Sequence, residues 1–440
     1  MLRKAVMVLI LALAATSLLW AGGAQQPTEG FAGKTVRVLS VSDPYPKKLV
    51  ELIPEFEAQS GVKVELDLQG YTPAYQKMTL DFLNKVSSYH VVSIDAPWIG
   101  EFVLGEKIRP IDDLVSETDA DVLALDDLSG PALEVCYYNN TWYALPQGLH
   151  GEMLAYRTDL YAEAGLTAPT NDREHLAIAE KLTVDTNGDG KIDQYGQAFN
   201  GQRGAAFGQQ FVEMMYAFGS PVIKDWPNGD MHPVMDTPET RGALQFFIDM
   251  KQFAPQDVLN MAWDERVRTF TQKQSAMTYM WLGRANAVQD PAESQIVGQI
   301  AYTPSPGRAR RIIPMGGYAW GMPVNIDPDM VSAAWEFMKW DNSPETKKKM
   351  VRLKGGAYYD RISVMSDPEL QKIQPELKVF LDNLDTITNN ARPPIPEISL
   401  IFEVLGTTGH EGLSESISVA ETTKRIQAEM DEIMKKAGYY

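Results

Sequence analysis

The chain has 440 residues, 44% hydrophobic and 10% aromatic, with 40 basic against 58 acidic side chains and a formal charge of −18. That length exceeds one ordinary core, so two lobes are expected, and the composition is that of a packed globular protein. The acidic balance argues against a nucleic-acid or anionic-membrane partner, and the single cysteine, Cys136, excludes an internal disulfide and a cysteine-rich metal site.

Residues 1–24 carry Arg3 and Lys4, an apolar run from Ala5 to Leu19, and then the small residues Ala21, Gly22, Gly23 and Ala24. This is the three-part pattern of a cleavable secretory signal, too short for a comfortable permanent anchor. No cysteine follows the run, so a lipid anchor on a processed cysteine is not expected. An exported, uncrosslinked, acidic chain points to a bacterial periplasm.

Lys34 to Val41 alternates as a strand and ends at Ser42-Asp43-Pro44-Tyr45. Pro44 and Pro46 open a helix through Phe56 that Pro54 should kink, and Val62 to Leu68 is a second strand. The unit is β-α-β, hence a parallel pair with a right-handed crossover. A helix over Tyr75 to Val86 and a buried strand over His90 to Ile94 follow, with Asp95-Ala96-Pro97-Trp98 at the strand's carboxyl end. In open α/β sheets that edge holds ligands. Cys136, between Val135 and Tyr137, reads as core within a strand.

From Asn139 to Thr170 an extended run meets Pro146, Gly148 and Gly151, then an apolar stretch and a helix that stops at Gly165. Such a stretch suits a crossing between two rigid bodies. Beyond it the grammar repeats. A strand over Gly196 to Phe199 leads to Gln202-Arg203, helices cover Phe207 to Phe218 and Thr237 to Phe253, and a strand over Ser275 to Met280 exits at Trp281-Leu282-Gly283-Arg284. The glycines at 316, 317 and 321 around Tyr318 and Trp320 suggest a second crossing. Helices are expected over Val331 to Trp340 and Pro344 to Arg352, and the terminal helical region breaks at Gly406 to Gly412.

Five segments in this order resemble the extracellular solute-binding proteins of ABC importers, in their carbohydrate class. They are EFEAQSGVKVELD, TWYALPQGLHGEMLAYRTDLYAEAGLTAPT, FTQKQSAMTYMWLG, MGGYAWGMP and ARPPIPEISLIFEVL. Arg157 stands where that pattern has asparagine, and the helix after Pro169 lacks its usual Thr-Trp start. The resemblance implies an α/β, two-lobed type II periplasmic-binding-protein fold, each lobe a mostly parallel sheet flanked by helices. Its lobes would comprise residues 25–147 with 318–343, and 148–317 with 344–440. It implies a monomeric receptor that closes on a sugar, oligosaccharide or polyol, delivers it to a membrane permease and needs no cofactor.

A sugar is held by flat aromatic faces over its C–H surface and by charged or amide groups on its hydroxyls. Candidates at strand exits and crossings are Asp43 with Tyr45, Asp95 with Trp98, His150 with Glu152, Arg203, Trp281 with Arg284, and Gly317 with Tyr318 and Trp320. Tyr358 and Arg361 join them from the turn Gly355-Gly356-Ala357-Tyr358-Tyr359-Asp360-Arg361. Trp98 could equally cap its own sheet, and His150 could equally be a packed residue. At most one of Tyr318 and Trp320 is expected to face ligand.

Asp185, Asn187, Asp189, Lys191 (through its carbonyl) and Asp193 fall at positions 1, 3, 5, 7 and 9 of a calcium-loop pattern, with Gly196 where a bidentate glutamate belongs. The readings are a Ca2+ site or an Asx-rich turn without metal. No nucleophile elbow, phosphate loop or His-Glu-x-x-His occurs, although a carboxylate pair of a glycan-active enzyme needs only spatial pairing. A non-sugar cargo on the same fold is the remaining alternative.

Overall fold

The computed structural model describes residues 31, 33–226, 229–354 and 358–440, so the signal segment 1–24 and residues 355–357 of the glycine-aromatic turn lie outside the described residues. Eight strands carry the architecture: β1 (Thr35–Val41), β2 (Lys63–Gln69), β3 (Val91–Asp95), β4 (Ala144–Arg157), β5 (Tyr195–Ala198), β6 (Ser275–Trp281), β7 (Ile300–Pro306) and β8 (Arg311–Gly321). They follow one another in the order β2-β1-β3-β8-β7-β4-β6-β5, and Ile387–Thr388, paired with β8 off this path, completes a nine-stranded sheet. β1 runs parallel to β2 and β3, and β5 parallel to β6, as the repeated β-α-β grammar requires.

β4 crosses from one half to the other. Ala144 to Gly151 pair antiparallel with Gly321 to Met315 of β8, whereas Glu152 to Tyr156 pair with β6 and Met153 to Arg157 with β7. β8 makes the return crossing and pairs through Tyr318 to Gly321 with β3. The two aromatic-and-glycine stretches are therefore neighbouring strands.

Helix α1 (Pro44–Leu49) is separate from α2 (Ile53–Ser60), because Pro54 occupies the first turn of α2, where its fixed φ and missing N–H cost nothing. The next helix, α3 (Tyr71–Asp81), starts four residues before the expected Tyr75 and so brings Tyr71 to the exit of β2. Cys136 is not in a strand: it ends the helix Gly130–Cys136, fully buried. The second half is built on α4 (Ala205–Phe218) and α5 (Trp263–Thr271).

Helices α6 (Val331–Asn342) and α7 (Pro344–Arg352) follow β8. Met350 of α7 packs in the core of Val36, Leu145, Trp320 and Phe337, so α7 sides with the first half rather than with the residues 148–317 to which the sequence joined it. The expected break at Gly406 to Gly412 is absent, and α8 (Ile398–Leu413) runs through it. A Cβ on Gly406 would sit 2.0 Å from the carbonyl oxygen of Gly204, so this glycine serves close approach to the start of α4 rather than a turn.

Candidate functional site

The ends of β1, β2, β3 and β6 and the inner turns of both crossings converge on a cavity of about 260 Å³. From one half come Asp43 after β1, Tyr71 at the start of α3, and Asp95 at the end of β3. From the other come Gln209 of α4, Trp263 and Asp264 of α5, Trp281 at the end of β6 and Arg284 just after it. The crossings supply His150, Gly317 and Tyr318, and Arg392 closes one side. Gly317 holds φ +93°, a left-handed conformation that favours glycine.

Polar groups reach across the cavity between the halves. Arg284 Nη1 lies 3.4 Å from Asp43 Oδ1 while its Nε donates to Asp264 Oδ1 at 3.0 Å. Tyr71 gives its hydroxyl proton to Asp95 Oδ2 at 2.7 Å and accepts from the Gln209 amide at 3.3 Å. Burial raises the Asp43 and Asp95 carboxyls above the ordinary range, outweighing the opposing pull of Arg284 on the first and of Arg392 on the second. Burial also takes Tyr318 well above the ordinary phenol value, helped by the Asp43 charge.

His150 is 5% exposed, and neither ring nitrogen has a hydrogen-bond partner. Its Nε2 lies 3.8 Å from Asp43 Oδ2, and its ring meets Trp281 edge-on at 5.3 Å. Burial, followed by the charges of Arg284 and Arg392, lowers its pKa to about 3, so the ring is neutral at ordinary pH. A neutral imidazole offers one donor and one acceptor, which matches a hydroxyl group. The cavity thus presents ionic and neutral hydrogen-bonding groups between aromatic surfaces, without a nucleophile paired to a base.

Asp43, Asp95, His150, Trp281, Arg284, Gly317 and Tyr318 among the sequence candidates line this space. Others stand behind it. Tyr358 donates to Asp43 Oδ2 at 3.4 Å and accepts the Tyr45 amide at 2.9 Å, while the Tyr45 hydroxyl bonds Asp341 at 2.8 Å. Trp98 is buried against Tyr71, Tyr75 and Phe102, and it backs Tyr71 instead of facing the cavity. Glu152 pairs with Arg266 and accepts from Gln210 beneath the floor.

Three candidates are displaced altogether. Trp320 is fully buried against Phe337 and donates its indole N–H to Asp341 at 2.6 Å. Tyr318 and Trp320 pair regularly with Asp95 and Ser93 of β3, so they differ in position along β8: Tyr318 lines the cavity and Trp320 lies two residues on, in the core with Phe337. Arg361 is fully buried and gives its guanidinium to the carbonyls of Asn342, Ala124 and Leu123 at 2.7 to 2.8 Å. A buried cation needs such partners, and here they are backbone carbonyls with the Asp127 carboxylate at 3.3 Å beside them. Arg203 is exposed and lies 3.8 Å from Glu411 on the outer surface.

Sequence reasoning missed Tyr71, Gln209, Trp263, Asp264 and Arg392. Tyr71 carried a readable signal, since it follows the strand ending at Gln69 as Asp43 follows the strand ending at Val41. Gln209 was an amide inside an apolar helix, and Arg392 sat within the proline-rich segment without being read as a contact.

In the Asp185 to Asp193 loop the side chains turn inward. Asp185 accepts from the amides of Gly188 and Gly190 at 2.7 Å, Asn187 from Asp189, Asp189 from Lys191, and Asp193 from Thr186. Among the described residues no group of three or more His, Cys, Asp or Glu side chains is placed to hold a metal ion. The loop has the hydrogen bonds of Asx turns.

Residues 42–348 match the model of the bacterial extracellular solute-binding protein family. A probable amino-acid ABC transporter periplasmic-binding protein of Sinorhizobium fredii is 24% identical over 416 residues, covering 93% of this chain and 91% of the relative. An erythritol/L-threitol-binding protein of Mycolicibacterium smegmatis is 20% identical over 390 residues, covering 84% and 80%. The crystal structure of an ABC transporter solute-binding protein of Agrobacterium radiobacter K84 in complex with ribitol superposes with a TM-score of 0.85 at 28% identity, covering 93% of this chain and all of that one.

Proposed function

The chain belongs to the bacterial extracellular solute-binding protein family, and from that premise we propose that it captures a polyol or monosaccharide between its lobes for an ABC import permease. The observation that carries this reading is the small cavity walled from both halves by acids, arginines, aromatic rings and an unpartnered neutral histidine. Its volume lies below the range of about 300–1,000 Å³ typical of drug-sized ligands, which favours a single sugar-length cargo. The names of the erythritol/L-threitol and ribitol binders support the same class.

Cargo that touches both halves only when they meet stabilises the closed form, and closure would present the surface that the permease reads. Micromolar affinity needs about 8 kcal/mol, more than one stacked ring supplies, so several hydroxyl-matched polar groups are required. On this reading the protein is exported by its N-terminal signal, works in the periplasm as a monomer, and leaves its cargo chemically unchanged. The crossings near Pro146–Gly151 and Met315–Gly321 would serve as hinges.

Calorimetric titration with erythritol, ribitol, D-mannitol, D-glucose and L-amino acids tests the reading. Saturable binding of a polyol or sugar, with the same compound recovered intact, is expected. Binding confined to amino acids would replace the cargo class, and recovery of a hydrolysed product would replace the receptor with an enzyme.

A further inference from the structure

A second cavity of about 560 Å³ lies directly beyond the first. The chain passes from one to the other within a residue or two: Asp95 lines the first and Ala96 the second, and on β8 Gly317 lines the first and Met315 the second. Arg392 lines both. The outer chamber is walled by the amides of Asn139, Asn140, Asn389 and Asn390 and by the rings of Tyr138 and Trp226, the same mixture of amide and aromatic surface that suits a hydroxyl-rich compound.

Arg392 is fixed in the wall. Its side chain is 4% exposed, and one terminal nitrogen donates to the carbonyl oxygen of Met315. Its guanidinium lies 4.8 Å from the ring centre of Trp281, a cation–π contact, and its Nε is 3.5 Å from Glu213 Oε1 of α4. Glu213 is itself buried, and burial followed by the neighbouring Glu152 charge raises its carboxyl well above the ordinary range, so it lies beside Arg392 without a hydrogen bond.

We propose that Arg392 is the residue that sets ligand length: its side chain, held by Trp281 and the Met315 carbonyl, ends the inner site after one sugar-length unit and separates it from a chamber able to take a second. This deepens the proposed function and rests on it for the cargo class, while the length limit itself follows from the two cavities and the residue between them. In the intact protein Arg392 also offers a charged donor to the inner ligand. Replacing it should therefore weaken short cargo and admit long cargo, a reversal that a purely structural residue would not produce.

The test compares monomer and dimer within each class: D-glucitol with maltitol, D-glucose with maltose, and L-alanine with L-alanyl-L-alanine. The wild type should bind one class and favour its monomer by at least ~100-fold, on the scale of lost charge-assisted hydrogen bonds and steric exclusion. Arg392→Ala should lose ~10-fold or more for the monomer and bind the dimer within ~10-fold of it. If the class is not a sugar or polyol, the functional reading fails while the length limit is still measured. A wild type that binds dimer as tightly as monomer overturns the length limit. So does a crystal structure of Arg392→Ala, or of Arg392→Gln should the alanine variant fold poorly, in which the two cavities remain closed off from each other.

Discussion

Arg284 Nη1 lies 3.4 Å from Asp43 Oδ1, an ion pair that joins the exit of β6 to the exit of β1 across the cavity. Asp43 is buried and Arg284 only partly so, and burial raises the Asp43 carboxyl despite its partner. A carboxyl whose folded pKa is raised adds stability below its unfolded pKa and loses it as pH rises through the folded value, so at neutral pH its charge costs stability. Asp43→Asn should hold or raise the melting temperature at pH 7 while weakening cargo ~10–100-fold, the scale of a hydrogen bond to a charged group. Calorimetry with the preferred cargo checks this, and unchanged affinity removes Asp43 from the contacts.

His150 shifts the other way. Its pKa falls from 6.5 to about 3 in the fold, so its contribution is present above pH 6.5 and is lost as pH drops towards 3. His175, lowered to about 4 by burial, adds to the same loss. The melting temperature should fall through this window, and His150→Asn should make the fall shallower. A variant curve parallel to the wild type would mean that the ring is already protonated in the fold.

Lys347 of α7 is 3% exposed and ties the first crossing to its surroundings. Its ammonium donates to the carbonyls of Gln147 and Pro146 and to the Tyr45 hydroxyl, and lies within 3.5 Å of Asp341 and Asp360. Lys347→Met leaves two buried carboxylates without their cation and should cost about 3–5 kcal/mol. Urea denaturation measures it, and a loss under 1 kcal/mol would show the ammonium to be dispensable at the crossing.

Gly406→Ala places a methyl 2.0 Å from the Gly204 carbonyl oxygen where α8 packs on α4. Backbone on both sides has no rotamer to yield, so overpacking should cost about 1–3 kcal/mol although alanine is the better helix former. A stabilised variant would mean that the two helices can move apart freely.

Calcium offers a cheap check on the Asp185 loop. With the side chains of Asp185, Asn187, Asp189 and Asp193 bonded to the loop's own amides, the melting temperature in 1 mM EDTA and in 1 mM CaCl2 (conditions of about the strength used for weak calcium sites) should coincide. A rise with calcium that Asp189→Ala abolishes would restore the metal reading.

The sequence by itself determined the parts governed by local rules. Alternation located β1 and β2, short runs located β3 and β6, their ends marked the ligand edge, and glycines, with Pro146 at the first, marked both crossings. Those features depend on residues within a few positions of one another, and the same is true of the family resemblance. Whether a given aromatic or charge faces cargo or core was decided only by the tertiary structure. Trp98 and Trp281 both lie at the carboxyl ends of strands, yet one is covered by Tyr75 and Phe102 while the other borders the cavity. Tyr318 and Trp320 share a motif, yet one lines the cavity while the other lies two residues on in the core with Phe337. Arg361 and Arg392 both lie in loops rich in turn-forming residues, and the first is consumed by carbonyls 19 to 238 positions away in the chain. Burial and partner choice are set by contacts remote in sequence, and a buried charge takes whichever acceptor the packing brings to it.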